Sequence, residues 1–217
     1  MKKKYIYLPK TQYQYWQMYA TEFPELFSLG DTGQRITEVF WGQETINEKK
    51  IDFVTGIFHY GIRRGTGKNR RTDYYQNHFF ILHFPKKIPV RFSLIEKKFL
   101  QHKIPGFSVR KLTTESFEFN KKFLISYKDT SSENEVSIMS SLTPKVQEEF
   151  LGLAQKKKSL RCAITPHAFA ITAEGYVLRR LKTNFAKDTT IREEDVQIFS
   201  QEIQNLQKTL HEITRYW

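Results

Sequence analysis

The chain reads as an α+β protein, with one antiparallel β-sheet system, flanking helices and a long amphipathic helix at the C-terminal end. Three observations lead there. Aromatic residues make up 15% of the composition, with 18 Phe and 11 Tyr, which favours strands. Residues 51–62 and 73–84 carry apolar side chains on both faces and flank a polar, glycine-containing segment, the pattern of a hairpin inside a covered sheet. The second half instead repeats its apolar residues at spacings of three and four, the period of helices.

Each element has its own signal. Tyr15, Trp16, Tyr19, Phe23, Leu26 and Phe27 recur near helical spacing behind Thr11, and Pro24 limits that helix to about four turns or fewer. Gly30-Asp31-Thr32-Gly33 predicts a turn, and strands are expected over 36–41, 51–62, 73–84 and 90–95. With the hairpin turning near residues 67–68, His59 should stand opposite Gln76 and His78 opposite Ile57. Pro85-Lys86-Lys87-Ile88-Pro89 then turns the chain. An extended segment over 114–125 would put Phe117, Phe119, Phe123 and Ile125 on a core-facing side, opposite Glu118, Lys122 and Leu124. The sheet is thus expected from the 34–128 region.

Thr143-Pro144 marks a helix start, followed by Val146, Phe150, Leu153 and Ala154 on one face and closed by Lys156-Lys157-Lys158. Leu160, Cys162 and Ile164 alternate as a strand, and 168–172 and 177–181 suggest two more. Thr190 and Glu193 form a capping box for a last helix. Its stripe includes Phe199, Ile203, Leu206 and Leu210 and is narrow enough for a homodimer seam, although packing across the sheet is the preferred reading. The expected organisation is a single compact domain over 1–217. A basic β-rich part (1–112) and a neutral α+β part (113–217) form its natural subdivision.

Composition excludes several classes. A hydrophobic share of 39% excludes a disordered chain. A single cysteine, Cys162, precludes an intramolecular disulfide and fits a reducing compartment. Met1-Lys2-Lys3-Lys4 has the charge of a leader, but its apolar continuation stops at Pro9, and no window approaches the ~20 apolar residues of a membrane span. The expectation is a soluble, cytoplasmic protein whose membrane contact, if any, is peripheral at the inner face.

No catalytic constellation stands out. Gly65-Thr66-Gly67-Lys68-Asn69 has Ile62 where a P-loop needs its first glycine and Asn69 where it needs Ser or Thr; Arg70 breaks a dinucleotide fingerprint. The six histidines show no ligand spacing, and Cys162 alternates with apolar neighbours like a small hydrophobe. Glu115 and Glu118, like Glu148 and Glu149, read as surface carboxylates. No enzyme activity, cofactor, metal or small-molecule substrate is inferred.

Charge is the more informative signal. All of the net charge of +12 falls in residues 1–128, which hold 23 Lys/Arg and 11 Asp/Glu; residues 129–217 hold 12 of each. Arg63, Arg64, Lys68, Arg70 and Arg71 bring five cations into nine residues at the expected hairpin tip, with Tyr74 and Tyr75 directly after. Such a ribbon suits an anionic membrane surface, a nucleic-acid groove or unpaired bases, and equally a plain solvated tip.

Residues 114–125, Thr-Glu-Ser-Phe-Glu-Phe-Asn-Lys-Lys-Phe-Leu-Ile, followed by Leu142-Thr143-Pro144, resemble a recurrent segment of an uncharacterised bacterial domain-of-unknown-function family. Val54-Thr55-Gly56 and Ile88-Pro89-Val90 also fit, so the resemblance covers most of the chain from about Phe27 onward. Members of that family often carry transmembrane helices ahead of this region, which are missing here. The resemblance implies a membrane or membrane-protein partner and no catalytic residue. The expected function is therefore a non-enzymatic binding module whose basic face meets an anionic membrane surface or membrane protein. The alternatives are nucleic-acid binding through the 63–75 hairpin and an oligomerising scaffold built on the 196–217 helix.

Overall fold

A computed structural model of the chain describes residues 6–8, 13–46, 49–84, 90–99, 110–127, 132–156, 158–174 and 201, and the structural statements below concern these residues. Nine antiparallel strands form one sheet in the order β1-β2-β3-β4-β9-β8-β5-β7-β6. In chain order these are β1 (Ile6–Leu8), β2 (Thr32–Ile46), β3 (Lys49–Arg64), β4 (Arg71–His83), β5 (Phe92–Glu96), β6 (Arg110–Leu112), β7 (Phe123–Tyr127), β8 (Lys158–Ile164) and β9 (Ala168–Glu174). The helices are α1 (Tyr13–Glu22), α2 (Pro24–Phe27), α3 (Phe117–Lys122), α4 (Ser132–Ser141) and α5 (Pro144–Lys156).

The sheet is covered on both faces, as its doubly apolar strands require. On one face Phe53, Phe80, Leu94, Ile125, Cys162 and Phe169 pack under Phe119 of α3, Ile138 of α4 and Val146 and Phe150 of α5. On the other, Val54, Phe58, Phe79, Ile81 and Ala170 lie beneath Tyr19 of α1 and Leu26 and Phe27 of α2. Each fully buried Phe or Leu contributes about 1.5–3 kcal/mol, so neither face could stay open to water without large cost. Pro24 starts α2 where it interrupts the longer helical pattern, and the Trp16 indole N–H donates to the Phe27 carbonyl (3.0 Å), folding α2 back on α1.

Two departures from the sequence reading are instructive. The 114–125 segment is not one strand: Ser116 caps α3, its hydroxyl accepting from the Phe119 N–H (3.2 Å), and the chain becomes extended only from Phe123. Phe119, Phe123 and Ile125 are buried as expected, but Phe117 is 75% exposed. Nor is the sheet confined to residues 34–128, because β8 and β9 occupy its middle, between β4 and β5. The strand expected over 177–181 lies outside the described residues. So does the C-terminal helix with Phe199, Ile203, Leu206 and Leu210, apart from helical Gln201.

Both non-glycine residues with positive φ, Glu38 (54°) and Ser159 (57°), sit where the strand register shifts, between Thr37 and Phe40 and between Lys158 and Arg161. These are β-bulges, which locally kink and twist the strands they interrupt.

Candidate functional site

The β3–β4 hairpin is built as the sequence suggests. Its register pairs His59 with Gln76, Ile57 with His78 and Arg64 with Arg71. A 3-10 turn over Gly67–Asn69 closes it. Gly65 has φ +77°, and a Cβ there would come within 2.4 Å of the Asn69 carbonyl oxygen, so the turn needs glycine on both counts. Pairing with β9 begins only at His78, and β2 accompanies β3 only as far as Gly61. From Arg71 to His78 the ribbon extends about 20 Å past its described β9 neighbour.

Side chains alternate across this ribbon. Arg64, Arg71, Asp73 and Tyr75 share the face that carries α1 and α2 farther along; Arg63, Thr72 and Tyr74 share the other. Arg64 and Arg71, directly opposite, would repel each other. Asp73 answers both, at 2.9 Å from Arg64 Nε and 3.6 Å from Arg71 Nε. The Arg64 guanidinium also donates to the Tyr75 hydroxyl (3.2 Å), and the Asp31 carboxylate accepts from the Arg63 backbone N–H (2.9 Å). Among the described residues Arg63, Lys68 and Arg70 have no ion-pair partner, and every residue from Arg63 to Arg71 is exposed. Five cations against Asp31 and Asp73 leave a local net charge of +3.

The two tyrosines part company. Tyr75 is half-buried and stacks on Tyr60 (centroids 5.3 Å apart, planes 16° apart), which stacks on Phe58 (5.3 Å, 23°), which meets Phe27 edge-on (5.3 Å). This row of rings ties the base of the ribbon to the core. Tyr74 points the other way, opposite Gly61, and is 75% exposed. The tip thus offers five cations and one free aromatic ring.

Below the tip, on the α1/α2 face, lies a buried polar group that periodicity gave no reason to single out. Arg161 pairs across the sheet with Thr172 and is 3% exposed. Burial pulls its guanidinium pKa down, opposed by the neighbouring Tyr60 hydroxyl; burial pushes Tyr60 up. The side-chain oxygens of Asn77 and Thr172, both buried, have no hydrogen-bond partner among the described residues.

The remaining candidates fall into structural places. His59 shares a hydrogen bond with Thr37 Oγ1 (2.8 Å), and His78 is buried. Among the described residues no group of three or more His, Cys, Asp or Glu could hold a metal ion. Cys162 is buried in the core, and burial pushes its thiol pKa well up, away from the reactive thiolate. Gly67-Lys68-Asn69 leads into a strand rather than a helix, so no helix N-terminus stands behind it to hold a phosphate. No described helix is long and apolar enough to cross a membrane.

Comparison with family models, curated proteins and solved structures gives no match to this chain. The functional reading rests on the geometry above.

Proposed function

We propose that the chain is a binding module that meets an anionic lipid surface end-on through the β3–β4 hairpin. The observation that carries this reading is the placement of the cations. Arg63 projects from one face of the ribbon, Arg64 and Arg71 from the other, Lys68 lies within the turn and Arg70 directly follows it. A groove would be met by one face of a ribbon and would leave the opposite cations unused, whereas a plane met tip-first uses all of them. Tyr74 is amphipathic and suits the headgroup level. Near an anionic surface each unpaired cation contributes about 1 kcal/mol, so Arg63, Lys68 and Arg70 together supply about a hundredfold in partitioning.

Co-sedimentation with phosphatidylcholine vesicles, with and without phosphatidylserine, tests this directly. The expected outcome is binding to the anionic vesicles alone, weakened by salt and reduced about a hundredfold by Arg63→Gln/Lys68→Gln/Arg70→Gln. Equal binding by that variant would overturn the reading.

Nucleic-acid binding is the second reading, favoured by one observation: Tyr74 stands exposed on the same face as Arg63, where an unpaired base could stack. A gel shift with single-stranded DNA or RNA that is salt-sensitive and lost in Tyr74→Ala, without vesicle binding, would put this reading first.

A further inference from the structure

A second cationic site lies away from the hairpin, where β5 ends and β7 begins. A cavity of about 360 Å³ opens there, lined by Glu96, Lys97, Lys98, Glu118, Lys121 and Lys122, with Leu151 and Gln155 of α5 forming one wall. The strand order explains why lysines from distant parts of the chain meet. Glu96 pairs with Phe123, so the end of β5 and the start of β7 are adjacent. The 3-10 turn Lys97–Phe99 therefore faces the last turn of α3, which carries Lys121 and Lys122.

Glu96 organises this cavity. It is fully buried, and one carboxylate oxygen accepts from the Leu160 N–H (3.2 Å) beside the β8 bulge. The other lies 2.8 Å from Lys122 Nζ and 3.2 Å from Lys98 Nζ. Glu96 thus holds two cations at the cavity. Lys97 and Lys121 are exposed and form no ion pair among the described residues. Four lysines against Glu96 and Glu118 leave +2. Counting the C-terminal ends of α3 and α5 at about half a negative charge each still leaves about +1. The arrangement favours an anion, and one small enough for several ammoniums to share.

We propose that this cavity binds a phosphate monoester, with Lys97 and Lys121 meeting its oxygens, the ion-paired Lys98 and Lys122 adding to the positive field, and Leu151 bordering the organic part. The proposal does not depend on the hairpin's role. The same headgroup chemistry could arrive as a free ester or on a lipid, and the experiment separates the two.

Titrations of the full chain with inorganic phosphate and glycerol 3-phosphate, followed by calorimetry and by lysine side-chain NMR shifts, form the first arm. Flotation with phosphatidylcholine vesicles containing phosphatidic acid forms the second. Lys97→Gln/Lys121→Gln removes two exposed cations without touching the Glu96 contacts, so its thermal midpoint should match that of the parent chain. Weakening of soluble-ester binding by about tenfold or more in that variant, with Arg63→Gln/Arg70→Gln unaffected, supports the site with a free ligand. If only vesicle binding weakens, the site stands with a lipid-borne phosphate. Binding indifferent to Lys97→Gln/Lys121→Gln overturns the proposal, and so does the lack of saturable binding in both arms up to about 10 mM phosphate groups.

Discussion

Tyr19 illustrates how much a single atom can decide. Its ring is fully buried against Phe27 and Phe79, yet its hydroxyl finds no hydrogen-bond partner among the described residues. Leaving a buried hydroxyl unpaired costs about 1–3 kcal/mol, so Tyr19→Phe should stabilise the protein by about 1 kcal/mol or leave it unchanged, read as the urea midpoint. Burial also pushes the phenol pKa above its ordinary value. The folded state then holds the proton more tightly than the unfolded chain, so this contribution is complete below the ordinary phenol pKa and is lost as pH rises through the folded one. Urea midpoints for the parent chain should fall above about pH 10, more steeply than those of Tyr19→Phe. Equal slopes would sink this account. The ring's burial was legible, since Tyr19 lies on the apolar stripe of its helix; the missing partner was not, because it depends on what the opposing strands present. Asp73 is an intermediate case. Once Arg64 faces Arg71, alternation places Asp73 on their side of the ribbon, although counting charges along the tip leaves it out. Glu96 lay beyond sequence reasoning, since its partners come from a turn, a helix and a bulge far apart in the chain.

At the scale of elements, α3 shows why a short aromatic segment resists reading. Phe119 and Phe123 would share a side in an extended chain, yet their rings meet (centroids 5.1 Å) with Phe119 inside α3 and Phe123 opening β7. The cap decides between helix and strand. Ser116 accepts from the Phe119 N–H, and the Asn120 side chain returns to Thr114, donating to its carbonyl (2.6 Å) and accepting its N–H (2.9 Å). Ser116→Ala should cost about 1 kcal/mol of stability, measured by urea unfolding, while Ser116→Asp should retain most of it. A neutral Ser116→Ala would mean that packing of Phe119 alone holds the helix. By contrast α5 was plain from Thr143-Pro144 and its apolar face, and the Thr143 hydroxyl does accept from the Val146 N–H (3.4 Å). The hairpin strands β3 and β4 were equally plain, because residues apolar on both faces leave few alternatives to a covered sheet, whereas β2 runs well past the 36–41 expected.

At the scale of the whole molecule, the sheet order governs behaviour. Charge and composition divide the chain near residue 112, but the hydrogen-bonded order does not follow that line. β5 finds both its neighbours, β7 and β8, beyond residue 112, and β4 finds β9 there. A 1–112 fragment should therefore show no cooperative thermal or urea transition, and amides of β8 and β9 should be among the slowest to exchange in the intact chain. A cooperative transition in the fragment would count against this interdependence. Strand pairing between neighbours in sequence, as in β3–β4, could be read directly; insertion of β9 and β8 between β4 and β5 could not, since periodicity says nothing about partners. The same order has a consequence for the protein as it is made. β4 and β5 leave the ribosome before roughly 80 further residues have been added, a delay of about 4–16 s at ordinary elongation rates. During that interval two apolar strands stand with unsatisfied backbone edges, open to mispairing with other nascent chains. Yield in cells should therefore depend on elongation rate and holding chaperones more than the finished, fully paired sheet would suggest.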